Sequence, residues 1–251
     1  MGADPVEAGG DMSVPDQVWQ WLTTAANYQG SEGVPHRFAE HVAISGAAVL
    51  IAAAIAIPVG LLLGHVGRGG LFVTSMANGA RAVPIFGVLI LLAVGPLGVG
   101  RSAAIVALVI FAIPPMLTNA YTGVREVDPD ARGAAVGMGM NARQVLARVE
   151  TPLALPLVAA GFRLAAVQVW ATATLAALVG SGGFGRYIVD GYSIQDYGQV
   201  YGGVIYVALT SVLLEAGLAA VERRLRRRVG QSRPVVTDKP GEPVAQTVAA
   251  L

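Results

Sequence analysis

Three stretches of this chain, 42–63, 82–100 and 102–124, contain no Asp, Glu, Lys or Arg. About 20 apolar residues in a helix cross the ~30 Å hydrocarbon core of a bilayer, so each stretch is long enough to span one. A fourth apolar stretch, 152–179, is interrupted only by Arg163, and a fifth, 197–221, carries Glu215 near its end. The mean hydropathy of +0.60, with only 13% charged residues, is too apolar for a soluble core. These features predict an all-α polytopic membrane protein with about five transmembrane helices.

Orientation follows from the arginines, because basic residues in short loops are held on the cytoplasmic side. Arg68 and Arg81 follow the first span, and Arg125, Arg132, Arg143 and Arg148 follow the third. Arg223, Arg224, Arg226, Arg227 and Arg228 follow the fifth, whereas the other side has only Arg37, Arg101 and Arg186. The N-terminus is therefore expected outside and the C-terminus in the cytoplasm. The chain divides into an external or interfacial segment (1–41), a transmembrane domain (42–228) with a cytoplasmic loop at about 125–151, and a tail (229–251). The tail is polar and carries Pro234, Pro240 and Pro243, which reads as disorder. Asp4, Glu7 and Asp11 at the start do not suit a cleaved signal peptide. Val18, Trp19, Trp21 and Leu22 suit either an amphipathic piece at the headgroup level or a plain exposed loop.

Several functions are disfavoured. The net charge is +1 and the basic residues sit in loops instead of forming a stripe, which argues against nucleic acid. With no cysteine there is no disulfide, thiolate nucleophile or Cys-ligated metal. No G-x-x-x-x-G-K-[ST] phosphate loop is present and the only lysine is Lys239, so the chain is not expected to hydrolyse ATP itself. Gly180, Gly182 and Gly185 match a dinucleotide fingerprint in spacing but follow a membrane span; an irregular re-entrant or hinge segment at the outer mouth accounts for them better. His36, His41 and His65 have no metal-ligand spacing and read as lone surface imidazoles. Neither a catalytic constellation nor a metal site is expected.

The loop over 127–152 has the punctuation of a folded helix-turn-helix. Asp128 can cap a helix whose first residue is Pro129, with Asp130 favouring the same positive end. Gly137 and Gly139 break that helix, and Asn141 with Gln144 resembles a capping box for a second one, which Pro152 is expected to stop or redirect into the membrane. Gly133, Ala134, Ala135 and Gly137 are small enough to let another surface approach the backbone, as docking requires. A DNA-reading helix-turn-helix would be pinned against the bilayer and has no lysine.

Gly133, Ala134 and Ala135, then Gly139, then Val149, Thr151 and Pro152 after nine further residues resemble the E-A-A-x-x-x-G-x9-I-x-L-P signature of ABC-importer permeases. Ala134, Ala135 and Gly139 match directly; Gly133 stands for the usual Glu and Thr151 for the usual Leu. The segments 81–84, 119–123, 127–130, 137–140, 171–180 and 182–186 are similar to the branch that imports glycine betaine, choline, carnitine or related quaternary amines. The resemblance implies a methionine-importer-like permease fold with no enzymatic activity of its own. It also implies that Arg132, Gly133, Ala134, Ala135, Gly137, Gly139 and Pro152 belong to a coupling element seated on a cytoplasmic ABC ATPase dimer, which uses ATP and Mg. A second copy or a homologous permease, an extracytoplasmic substrate-binding protein and the lipid bilayer are the other implied partners; no cofactor is expected in this chain. An ABC permease for another small solute such as methionine, an ion-gradient-driven secondary transporter and a membrane scaffold are the rival readings.

Candidate path residues are Pro84, Asn119, Arg163, Gln168 and Thr172. Gln168 and Thr172 share a helical face with Leu175 and either line a polar path or bond to neighbouring helices. Pro84 and the Pro114, Pro115 pair are expected to bend the second and third spans. Arg163 and Glu215, at membrane depth, either act on the transported solute or reach the cytoplasmic surface by snorkelling. Gly60 and Gly64 hint at close helix packing.

Overall fold

The computed structural model describes residues 12–228, and every regular element among them is helical. The expected tail (229–251) and the acidic start of the chain lie outside the described residues. The first span is α2 (Val34–Val66), about 50 Å long at 1.5 Å per residue and so longer than the hydrocarbon core it crosses. Gly67, with φ 71°, ends it.

The third span is α5 (Arg101–Arg125) and lies at the centre, between α2 and the fourth span, α8 (Thr151–Thr172). Small residues bring these backbones together. A β-carbon on Gly60 would stand 2.7 Å from Leu117 O, and one on Gly64 would stand 2.8 Å from Tyr121 O, so the glycine pair does mark the α2–α5 contact. Ala48, Ala52, Leu108, Met116, Ala165 and Val169 fill the core between the three helices. The last span, α10 (Tyr197–Arg228), runs beside α8.

The second span differs from expectation. The single helix foreseen over 82–100 is a pair, α3 (Gly70–Ala82) and α4 (Ile85–Val94), bent by 84°. The break follows from Pro84, which lacks an N–H and forces Val83 into an extended conformation (φ −85°, ψ 120°). Among the described residues, four helices are thus long and apolar enough to cross a membrane alone, giving five spans if the bent pair counts as one.

One smaller correction concerns a helix end. Pro152 does not stop the second loop helix, α7 (Ala142–Val145), which continues through one wide π turn (Leu146–Glu150) into α8. Proline is tolerated there because it falls in the first turn of α8. The tryptophan-bearing N-terminal piece is a true helix, α1 (Val14–Thr23), held by Trp21 packed edge-on to Tyr187 and Tyr206 while Trp19 stays exposed.

Candidate functional site

The loop between α5 and α8 is ordered by the capping residues its sequence announces. Asp128 Oδ1 accepts from Asp130 N at 2.9 Å and starts α6 (Pro129–Gly137). Gly137 is the last helical residue; Gly139, with φ +83°, makes the stop, as Gly139 N donates to Val136 O and Met140 N to Ala135 O. Asn141 and Gln144 then form a complete capping box, each side chain accepting from the other's backbone N–H at 2.9–3.0 Å.

The faces of α6 are unequal. Gly133, Ala134 and Gly137 are exposed, with Val136 and Met138 exposed beside them, and a β-carbon on Gly133 or Gly137 would meet nothing within 4 Å. Ala135 points the other way and is 1% exposed, so it holds α6 to its own chain and is not available to a partner. Arg132 also turns inward. Its Nη2 donates to Val124 O at 3.1 Å, and its Nε lies 2.6 Å from Glu150 Oε1. That second contact is one of charge, since the Nε–H is not directed at the oxygen. The opposite carboxylate oxygen of Glu150 lies 2.5 Å from Nδ1 of His65, near the end of α2. Glu150 was missed in the sequence, where it is an unremarked position between Val149 and Thr151. His65 is accordingly not a lone surface imidazole, and neither is His41, which is 1% exposed, with Nε2 3.0 Å from Trp170 O and its ring packed on Trp170 and Phe184.

A cleft of about 390 Å³ opens between α3, α5 and α8. Its walls include Ala77, Val83, Phe111, Pro115 and Leu164, and its polar groups come from Thr118, Asn119 and Gln168. Pro114 and Pro115 lack N–H groups, which frees the carbonyls of Ile110 and Phe111 from the helical ladder on this part of α5. Asn119 Nδ2 donates to Pro115 O at 2.8 Å, and Thr118 Oγ1 is buried without a partner. Thr118 was not foreseen, although its position four residues after Pro114 puts it on the proline face.

The remaining path candidates lie elsewhere. Pro84 makes the bend beside the cleft. Thr172 lines a separate small apolar gap, and its hydroxyl donates to Gln168 O of its own helix. Arg163 faces α10, where Nη1 donates to Glu215 at 2.7 Å and Nε is 3.0 Å from Glu222. The two charges that the sequence suggested for membrane depth are therefore paired with each other, as charges at that depth require.

At the end of the bundle opposite the loop over 125–151, Glu40 collects Arg37 (2.9 Å), Arg101 (2.8 Å) and the backbone N–H of Gly183 (3.0 Å). The glycine turn with Gly180, Gly182 and Gly183 all at positive φ wraps this carboxylate. Beside it, Tyr187 donates its hydroxyl to Glu32 O at 2.6 Å, and burial pushes that hydroxyl's pKa up to about 12.

A family model described as "Binding-protein-dependent transport system inner membrane component" matches residues 56–227. The chain belongs to this family. It is an ABC-importer permease subunit, a multi-pass protein of the inner membrane, and such subunits are not themselves catalytic. This permease is 37% identical over 186 residues to the carnitine transport permease protein OpuCB of Listeria monocytogenes, covering 74% of this chain and 85% of that one. It is 33% identical over 186 residues to the choline transport system permease protein OpuBB of Bacillus subtilis (strain 168), with the same shares covered. Among solved structures, the inward-facing MetNI methionine ABC transporter superposes with a TM-score of 0.63 at 22% identity, covering 74% of this chain and 93% of that one. The permease fold is thus the methionine-importer-like arrangement that the loop signature implies.

Proposed function

We propose that this permease translocates quaternary-amine osmoprotectants, the class of glycine betaine, choline and carnitine, driven by ATP hydrolysed with Mg on a partner ATPase pair. The observation that carries the reading is the likeness to carnitine and choline permeases over 85% of their lengths. The cleft suits such a solute. A quaternary ammonium has no N–H to donate, so it is stabilised by carbonyl dipoles and an aromatic face more than by paired hydrogen bonds, and the cleft offers Phe111 beside the proline-freed stretch of α5, with no Asp, Glu or Lys and no arginine among its described lining side chains.

The exposed side of α6, with Gly133, Ala134 and Gly137, is the surface that docks on the ATPase, and Arg132, Ala135, Gly139 and Pro152 shape it from behind. A second permease, identical or homologous, completes the path; Asn119 and Gln168 line it. An extracytoplasmic binding protein delivers the solute. The arginine-rich end of α10 and the loop over 125–151 face the cytoplasm, with the N-terminal helix outside, and this chain carries no cofactor.

The test is uptake of labelled glycine betaine, choline and methionine into vesicles holding the permease, its ATPase and its binding protein, with and without internal ATP. ATP-dependent uptake of quaternary amines alone is the expected result. Uptake of methionine instead would change the substrate, and gradient-driven uptake without ATP would overturn the mechanism. Ala134→Trp, which places bulk on the docking side without entering the chain's own core, is expected to abolish import while the protein remains inserted.

A further inference from the structure

Glu150 is the most completely enclosed charged side chain among the described residues, with 0% of its side chain exposed. Its surroundings draw on four elements: it ends the π turn that leads into α8, its oxygens face His65 of α2 and Arg132 of α6, and the same Arg132 donates to Val124 near the end of α5. A π turn inserts one extra residue into a helix and re-aims the side chains after it, and Glu150 is the residue that this turn delivers to the interior.

The α6 helix has little else to hold it. Of its nine residues only Ala135 is buried, and alanine offers a single methyl group to packing. Its covalent connections are the short stretch before Asp128 and the turn through Gly139, both of which can act as hinges. A helix held by hinges alone would swing when pushed and leave the bundle still. A carboxylate shut away from water, however, is costly to strand without its counter-charge. Displacing α6 therefore either pulls Glu150, and with it α8 and α2, or breaks the pair at a high energetic penalty.

We propose that Glu150 is the positioning residue that makes the docking helix mechanically continuous with the membrane bundle, so that motion imposed on α6 is passed through Arg132 and Glu150 to α8 and, through His65, to α2. This rests on the reading of α6 as the ATPase-docking element. Glu150 touches neither solute nor nucleotide; it acts by fixing Arg132.

The test measures solute imported per ATP hydrolysed in vesicles containing the complete complex. Glu150→Gln keeps the shape and removes the charge, and is expected to lower that ratio at least tenfold while the ATPase still co-purifies with the permease. Arg132→Gln, altered on the loop and not in the bundle, is the second variant in case Glu150→Gln inserts poorly, and is expected to lower the ratio similarly; Arg132→Lys, which keeps the cation, should recover a large part of it. A merely structural role would lower the amount of inserted protein or its melting temperature and leave the ratio unchanged; that result in Arg132→Gln overturns the proposal. Absence of ATP-dependent import by the unaltered complex would instead overturn the proposed function, and a normal ratio in the variants beside coupled import by the unaltered complex would overturn Glu150 alone.

Discussion

Gly161 of α8 lies against Asn119 of α5 so closely that a β-carbon on the glycine would stand 2.5 Å from Asn119 Cβ and 3.1 Å from Pro115 O. The contact sits beside the cleft, where Asn119 is tied to Pro115 O, and α8 carries Gln168 to the same cleft two turns further on. Gly161→Ala should separate the two helices at this point. Overpacking of this kind costs about 1–3 kcal/mol, so the melting temperature in detergent should fall and the uptake rate with it. An unchanged melting temperature would show that α5 and α8 can part without penalty.

Arg163 offers a sharper distinction between a path residue and a brace. Its partner Glu222 has 9% of its side chain exposed, whereas Glu215, at 45%, is the less enclosed of the two. Arg163→Met leaves Glu222 with Arg226, whose Nε donates to Oε1 at 2.9 Å, and because Arg163 itself is 31% exposed the loss should stay below the about 3–5 kcal/mol of a fully stranded buried charge. Arg163→Met with Glu222→Met should recover most of it. The KM for the solute should be the same in all stably inserted variants, since Arg163 faces α10; a raised KM would return Arg163 to the path.

The capping residues of the loop were legible in the sequence, and its buried charge was not. Asp128, Gly139, Asn141 and Gln144 act on backbone groups one to three residues away, so their spacing in the sequence already contains their geometry. Glu150 and His65 are separated by 85 positions, and nothing local to either identifies the other; only the packing of α2 against the α8 base brings them together. His41 was misread for the same reason, because its cover comes from Trp170 and Phe184. The bend at Pro84 was foreseen as a kink in one span, but its size was not, since a proline reveals that the ladder is broken and not how far neighbouring helices let the two halves turn. Arg163 and Glu215 stood out in the sequence as charges within apolar stretches, and their mutual pairing was hidden by the long connection through α9 (Gly185–Ser193).

The glycine turn around Glu40 predicts a position where even alanine is not tolerated. Gly182 has φ +89°, and a β-carbon there would overlap the Glu40 carboxylate. Gly182→Ala should displace Glu40 from Gly183 N–H and from Arg101, adding about 1–2 kcal/mol of left-handed strain to the lost contacts. Amide exchange over 180–186 should accelerate; protection equal to that of the unaltered chain would mean that Glu40 does not anchor the turn.

Tyr187 gives the same region a pH signature. Its hydroxyl pKa is raised to about 12, from 10.0, because burial disfavours the phenolate, so the stabilisation tied to the protonated form is complete below about pH 10 and is lost as pH rises towards 12. The melting temperature of the unaltered chain should therefore decline between those values more steeply than that of Tyr187→Phe, which has no group to titrate. Equal slopes would detach the decline from this tyrosine.

The capping box tests whether order within the loop matters to the docking surface next to it. Asn141→Ala removes the side-chain acceptor for Gln144 N and keeps the backbone N–H that the Gln144 side chain accepts from, at a cost of about 1 kcal/mol. A penalty of that size opens α7 roughly fivefold more often, yet it lies outside the buried core of α2, α5 and α8. Global melting should barely move while amide exchange across 141–146 rises about fivefold. Import should fall only as far as the exposed side of α6 loses its fixed relation to Arg132, so a full loss of import with unchanged exchange would place Asn141 itself at the partner surface instead of in the scaffold behind it.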